Sequence, residues 1–117
     1  MTITNAFAGL AVQDLERSTA WYETLLGKGR RPMPEIVEWQ FAGGGGLQLY
    51  RGPERAGQGS CTMIVDDIDE VAERLRSSGL AADAQPVHHD AVDTVMVKDP
   101  DGNSIAFAKP KDPSLIR

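Results

Sequence analysis

At 117 residues, with 41% hydrophobic and 25% charged side chains and no low-complexity tract, the chain fits one globular domain with its own core. Twelve Lys and Arg against seventeen Asp and Glu leave a net charge of −5, which repels phosphate backbones and anionic lipid and argues against nucleic-acid and membrane partners. No apolar run approaches the ~18–20 residues of a membrane span, Met1-Thr2-Ile3-Thr4-Asn5 carries no basic stretch, and Cys61 stands alone; the expectation is a cytoplasmic protein without signal peptide or intrachain disulfide.

Ala6 to Val12 reads as a strand, and Asp14 is suited to cap the helix that follows, because its carboxylate can accept N–H groups of the first turn. Leu15, Ser18, Tyr22, Leu25 and Leu26 recur at helical spacing, with Gly27 as a left-handed stop. Pro32 and Pro34 make the next stretch irregular or a short edge strand. Ile36 to Ala42 alternates, with Val37, Trp39 and Phe41 on one face and Glu38 and Gln40 on the other. Gly43 to Gly46 turn the chain into a strand over Leu47 to Arg51, and Gly52 to Gly59 form a polar linker.

The same programme then repeats. Ser60 to Val65 is a strand, Asp67 with Glu70 forms a capping box, and Ile68, Val71, Ala72 and Leu75 trace a helical stripe ended by Gly79. Strands are predicted near Asp83 to Val87, over Thr94 to Lys98 and over Ser104 to Ala108. The last two are joined by the type I turn Asp99-Pro100-Asp101-Gly102. Val12-Gln13-Asp14-Leu15 matches Val65-Asp66-Asp67-Ile68 at an offset of 53 residues (12 to 65), and Leu47-Gln48-Leu49 matches Ile105-Ala106-Phe107 at 58 (47 to 105). The fold class expected is α+β: two βαβββ repeats, about 5–52 and 59–110, with a loose tail over 111–117. Their curved mixed sheets would pair into a cup with the helices on the convex side. Leu10, Val12, Leu47, Leu49, Cys61, Met63, Val65, Ile105 and Phe107 take the helix-facing parity, and their neighbours point the other way.

Val12-x-Asp14-Leu15-x-Arg17-Ser18-x-x-Trp21-Tyr22 with Leu26-Gly27, and Asp99-Pro100-Asp101-Gly102-Asn103, resemble the vicinal-oxygen-chelate superfamily of glyoxalases, bleomycin-resistance proteins and extradiol dioxygenases. The resemblance covers about residues 5–110 and implies a paired βαβββ cup, commonly in a homodimer. In metal-dependent members four cup positions hold the ligands. Carried over residue by residue, they fall on Phe7, Gln48, Ser60 and Ala106. Phe and Ala have no donor and Ser and Gln are neutral, whereas transition metals require imidazole, carboxylate or thiolate. No metal and no cofactor are therefore expected. A cup lined by Phe7, Trp39, Gln48, Tyr50, Ser60, Thr62 and Ala106 suits a flat organic ligand, with apolar walls for affinity and few hydrogen bonds for orientation. This is how the metal-free bleomycin-resistance branch sequesters a drug, although only Glu35 and Glu38 stand near this cup to meet a cationic one.

Other readings compete at several positions. Phe7 could instead fill a closed cup, and the parity of Trp39 with Val37 and Phe41 favours core. His88-His89-Asp90 suggests chemistry, but adjacent strand residues face opposite sides, and an exposed loop is the plainer reading. Asp66, Asp67, Asp69 and Glu70 belong to a helix N-terminus rather than a cation site. Asp99-x-Asp101-x-Asn103 lacks the glycine and glutamate positions of a calcium loop, and Cys61 reads as an inert buried thiol. The leading expectation is a metal-free binder of a small organic ligand such as an aromatic antibiotic or similar toxin. Two alternatives stand beside it. One is a glyoxalase- or dioxygenase-like enzyme with displaced machinery, using His88 or His89 as base with help from Glu38 or Gln40. The other is a structural dimer with a filled cup.

Overall fold

Strand β1 (Phe7–Val12) runs into helix α1 (Leu15–Leu26) because Asp14 stops the extended chain and caps the first turn, its Oδ1 accepting from Arg17 N at 3.1 Å. The helix ends at Gly27, which takes φ 79°, a value that side-chain-bearing residues rarely adopt. The computed structural model describes residues 1–112. After α1 come β2 (Arg30–Met33), β3 (Ile36–Gln40) and β4 (Gly46–Arg51). These strands form a mixed sheet in the order β1-β4-β3-β2, parallel between β1 and β4 and antiparallel elsewhere. The proline-bearing β2 lies at the edge with an interrupted register, the place where a missing N–H is tolerated.

The second half repeats this plan: β5 (Ser60–Ile64), α2 (Ile68–Ser77), β6 (Val87–His88), β7 (Val92–Lys98) and β8 (Ser104–Pro110), in the order β5-β8-β7-β6. Asp67 caps α2, accepting from Glu70 N at 3.0 Å, while the Glu70 carboxylate accepts from Arg74 at 3.0 Å. The fold class is therefore α+β, two βαβββ repeats with four-stranded mixed sheets. The strand expected over 83–87 is shorter and later. Pro86 cannot donate to a ladder, and the tight return into β7 allows only the pairs Val87–Thr94 and His88–Asp93. That places His88 in a strand rather than in a loop. Of the tail expected over 111–117, residues 113 onward lie outside the described residues.

By their contacts the described residues divide into two compact units, residues 1–59 with 99–103, and 60–98 with 104–112. In the first unit α1 packs on β3 and β4, burying Leu10, Val12, Tyr22, Val37, Trp39, Leu47 and Leu49. In the second, α2 packs on β7 and β8 over Ile68, Ala72, Leu75, Val95, Ile105 and Phe107. The β7–β8 turn groups with the first unit through a buried polar network. The Asp99 carboxylate accepts from Tyr22 Oη at 2.7 Å and from Asp101 N, Asn103 N and Asn103 Nδ2, each at 2.9 Å. Asn103 Nδ2 also donates to Ala11 O at 3.0 Å, and its Oδ1 accepts from Gly59 N at 2.9 Å. These bonds use up the acceptor capacity a calcium loop would need, so the sequence Asp99-x-Asp101-x-Asn103 is a turn and its anchor.

Candidate functional site

Each sheet has one face under its helix and one facing away, and strand register assigns every candidate residue to one or the other. On the first sheet the face away from α1 carries three rows: Phe7, Gly46 and Gln40; then Gly9, Gln48, Glu38 and Arg30; then Ala11, Tyr50 and Ile36. Phe7, on β1, lays its ring over Gly46 of β4: a Cβ there would sit 2.4 Å from Phe7 Cε2. Tyr50 leans between Gly9 and Gly52, its ring carbons 3.6 and 3.2 Å from the Cβ positions those glycines lack, with the Arg55 guanidinium 5.5 Å from the ring centroid. Phe7, Gln48 and Tyr50 are each half-buried.

At the middle row sits a carboxylate that alternation alone would have left in solvent. Glu38 is only 7% exposed; its Oε1 accepts from Arg30 Nη2 at 3.2 Å and its Oε2 from Gln48 Nε2 at 3.1 Å. A sequence reading could have flagged it only from the registers β2–β3 and β3–β4, which place Arg30 and Gln48 on either side. Trp39 is corrected out of the ligand-lining set. It pairs with Leu47 on the helix side, is 5% exposed, donates its indole N–H to Gly27 O at 2.9 Å and stands 5.9 Å from the Tyr22 ring. Glu35 is exposed and lines a different surface cleft with Gln13, Asp14 and Arg31.

On the second sheet, the face away from α2 carries Ser60, Ser104 and Lys98 in one row and Thr62, Ala106 and Met96 in the next. Lys98 Nζ donates to Ser104 Oγ at 2.9 Å. Ile64, Val87 and Met96 leave 52%, 54% and 67% of their surface exposed on this face. The two histidines part at the end of β6, His88 as its last residue and His89 in the exposed turn beyond it. His88 Nδ1 meets Asp93 Oδ1 at 2.8 Å on the helix-side parity, and this bond, with Lys111 beside it, holds the Asp93 carboxyl below the usual carboxylate range. His89 Nε2 lies 3.4 Å from Thr94 Oγ1, a residue on the parity opposite to Asp93. Cys61 is half-buried under the helix side, where burial pushes its thiol up and away from nucleophilic use.

Set against the four ligand positions of metal-dependent relatives, Phe7 and Gln48 lie on the first sheet and Ser60 and Ala106 on the second. Phe7 and Ala106 offer no lone-pair donor, Ser60 a neutral hydroxyl and Gln48 one neutral carbonyl oxygen, so the set does not fit a divalent cation. Among the described residues no three His, Cys, Asp or Glu side chains stand together as a metal centre would require. No helix of the described residues is long and apolar enough to cross a membrane.

Comparison with known proteins bears on this geometry. Residues 4–107 match the Glyoxalase family, that is, the Glyoxalase/Bleomycin resistance protein/Dioxygenase superfamily. A glyoxalase/bleomycin resistance protein from Catenulispora acidiphila DSM 44928 is 35% identical with a TM-score of 0.80, over 92% of this chain and 98% of that one. TnmS3, an antibiotic binding protein from Streptomyces sp. CB03234, is 22% identical with a TM-score of 0.78, over 95% and 99% of the two chains. The oxidase ChaP-H2 is 17% identical with a TM-score of 0.73, over 93% and 94%. No functionally curated protein matches the sequence.

Proposed function

Because the chain belongs to the Glyoxalase/Bleomycin resistance protein/Dioxygenase superfamily, we propose that it binds a small aromatic molecule, without metal, and protects by sequestering an antibiotic or similar toxin. The observation that carries the reading is the open face of the first sheet, where Phe7 and Tyr50 offer rings and Gln48 a single polar anchor. Two aromatic walls with sparse hydrogen-bonding groups suit a flat ligand better than a reaction centre. The poor donor set at Phe7, Gln48, Ser60 and Ala106 supports the metal-free part, since an ion held by neutral oxygens would keep its water instead. TnmS3, a structural neighbour, binds an antibiotic. In this reading the protein works in the cytoplasm, as a homodimer, with Ser60, Thr62 and Ala106 as the ligand-contacting residues of the second sheet.

The enzymatic alternative finds less support. Its proposed helper Glu38 is already engaged on both oxygens, and His88 is held by Asp93 on the parity opposite to the open face. Protein purified without added metal, then analysed for elements and titrated with a panel of aromatic natural products by thermal shift, tests the proposal. Metal below stoichiometry and a micromolar aromatic ligand whose affinity falls in Phe7→Ala and Tyr50→Ala are expected. A stoichiometric transition metal, or silence across the panel, would overturn it.

A further inference from the structure

The Glu38–Gln48 pair on the first sheet does more than bury a charge. A carboxylate has only acceptors to offer. The end of the Gln48 amide that meets Glu38 Oε2 at 3.1 Å is therefore its NH2 end, and the other carboxylate oxygen is taken by Arg30 at 3.2 Å. Along this row Gln48 has Glu38 on β3 at one side and Gly9 on β1 at the other. Trigonal amide geometry turns the carbonyl oxygen away from the nitrogen's partner, toward the side where Gly9 supplies no side chain. Among the described residues, the Cβ position that Gly9 lacks meets Tyr50 Cε1 at 3.6 Å and, its two chain neighbours aside, no other side-chain atom within 4 Å. Phe7 over Gly46 bounds this side in the row before, and the Tyr50 ring reaches over to it from the row after.

We infer that Glu38 is a positioning residue which locks the Gln48 amide with its carbonyl presented over Gly9, so that the ligand this face accepts is an aromatic alcohol or amine that donates a hydrogen bond there. The inference rests on the binding function proposed above and narrows its ligand class. Gln48 is the contacting residue, while Glu38 acts through it and touches no ligand. An ether or ketone at the same place meets an acceptor with another acceptor and leaves Gln48 Oε1 desolvated without a partner, which favours the donor ligand by about five- to tenfold.

The test pairs 2-naphthol with 2-methoxynaphthalene, which share one ring system and differ in the donor, in titrations against wild type, Glu38→Gln and Gln48→Met. Wild type should prefer the naphthol by about five- to tenfold. Glu38→Gln lets residue 38 donate to a flipped Gln48 amide, and Gln48→Met deletes the acceptor at similar volume, so both should bring the preference to about twofold or less while still binding the ring system. The preservation of ring binding also shows that the variants fold. In parallel, the Gln48 side-chain amide protons, observed by nitrogen-15 NMR without ligand, should be displaced from the free-glutamine position in wild type and return to it in Glu38→Ala. Equal binding of the two probes to wild type, or a preference that survives Glu38→Gln, overturns the inference. If neither probe binds, the aromatic-ligand function falls, and the Gln48 amide resonances decide the Glu38 lock by themselves: a free-glutamine position in wild type refutes it.

Discussion

Replacing Tyr22 by Phe removes one oxygen and, with it, the 2.7 Å hydrogen bond from Tyr22 to the Asp99 carboxylate. Tyr22 is fully buried and Asp99 is 5% exposed, so water cannot readily take the hydroxyl's place. A hydrogen bond to a charged group contributes about 1.5–3 kcal/mol net. Asp99 would keep Asp101 N, Asn103 N and Asn103 Nδ2, each at 2.9 Å, and this remaining solvation puts the expected loss near the middle, about 2 kcal/mol. For a chain of this length that is a fall in Tm of roughly 8 °C. Asp99→Asn should cost more, about 3 kcal/mol, because its amide nitrogen faces donors where the carboxylate accepted. Urea unfolding followed by circular dichroism, with the exposed Ser77→Ala as a control expected within about 0.5 kcal/mol, measures all three. A Tyr22→Phe loss below about 0.5 kcal/mol would refute the claim that this network anchors the β7–β8 turn.

Other consequences are independent of that network. Asp14→Ala and Asp67→Ala each remove a helix cap and should cost about 1 kcal/mol in urea unfolding. At Gly46 a Cβ would lie 2.4 Å from both Phe7 Cε2 and the Trp39 carbonyl oxygen, so Gly46→Ala should destabilise by about 2 kcal/mol and displace the Phe7 ring; Gly43→Ala, with nothing within 4 Å, should be neutral or mildly stabilising. Parallel thermal melts of the two variants check the contrast. Asp93 has its pKa lowered from 3.8, chiefly by the His88 hydrogen bond, and so favours folding at pH above 3.8. That contribution fades as pH falls through the lowered value, and Asp93→Asn should flatten the acid limb of a plot of Tm against pH. An unchanged limb would show that the pair is too well solvated to matter.

Much of the architecture was legible because local chemistry decides it. Asp14 and Asp67 sit one turn ahead of apolar stripes, and a side-chain oxygen there can reach the free N–H groups whatever the rest of the chain does. Period-two alternation likewise placed Leu47 and Leu49 under a helix and Gln48 and Tyr50 on the opposite face, and its parity argument for Trp39 as core was right where its inclusion among ligand-lining residues was not. Alternation describes one strand at a time, so it could not see that Glu38 lies between Arg30 and Gln48 and is buried by them. Nor could it see that β6 shrinks to two residues, Val87 and His88, that pair with β7.

The sequence by itself determined the two capped helices and the duplicated strand pattern, since each follows from residue type and short-range spacing. Only the tertiary structure decided which charges are buried and which amides are oriented. Tyr22 meets Asp99 across 77 residues and Asn103 meets Ala11 across 92, and no local rule links groups so far apart until folding brings them within hydrogen-bonding distance.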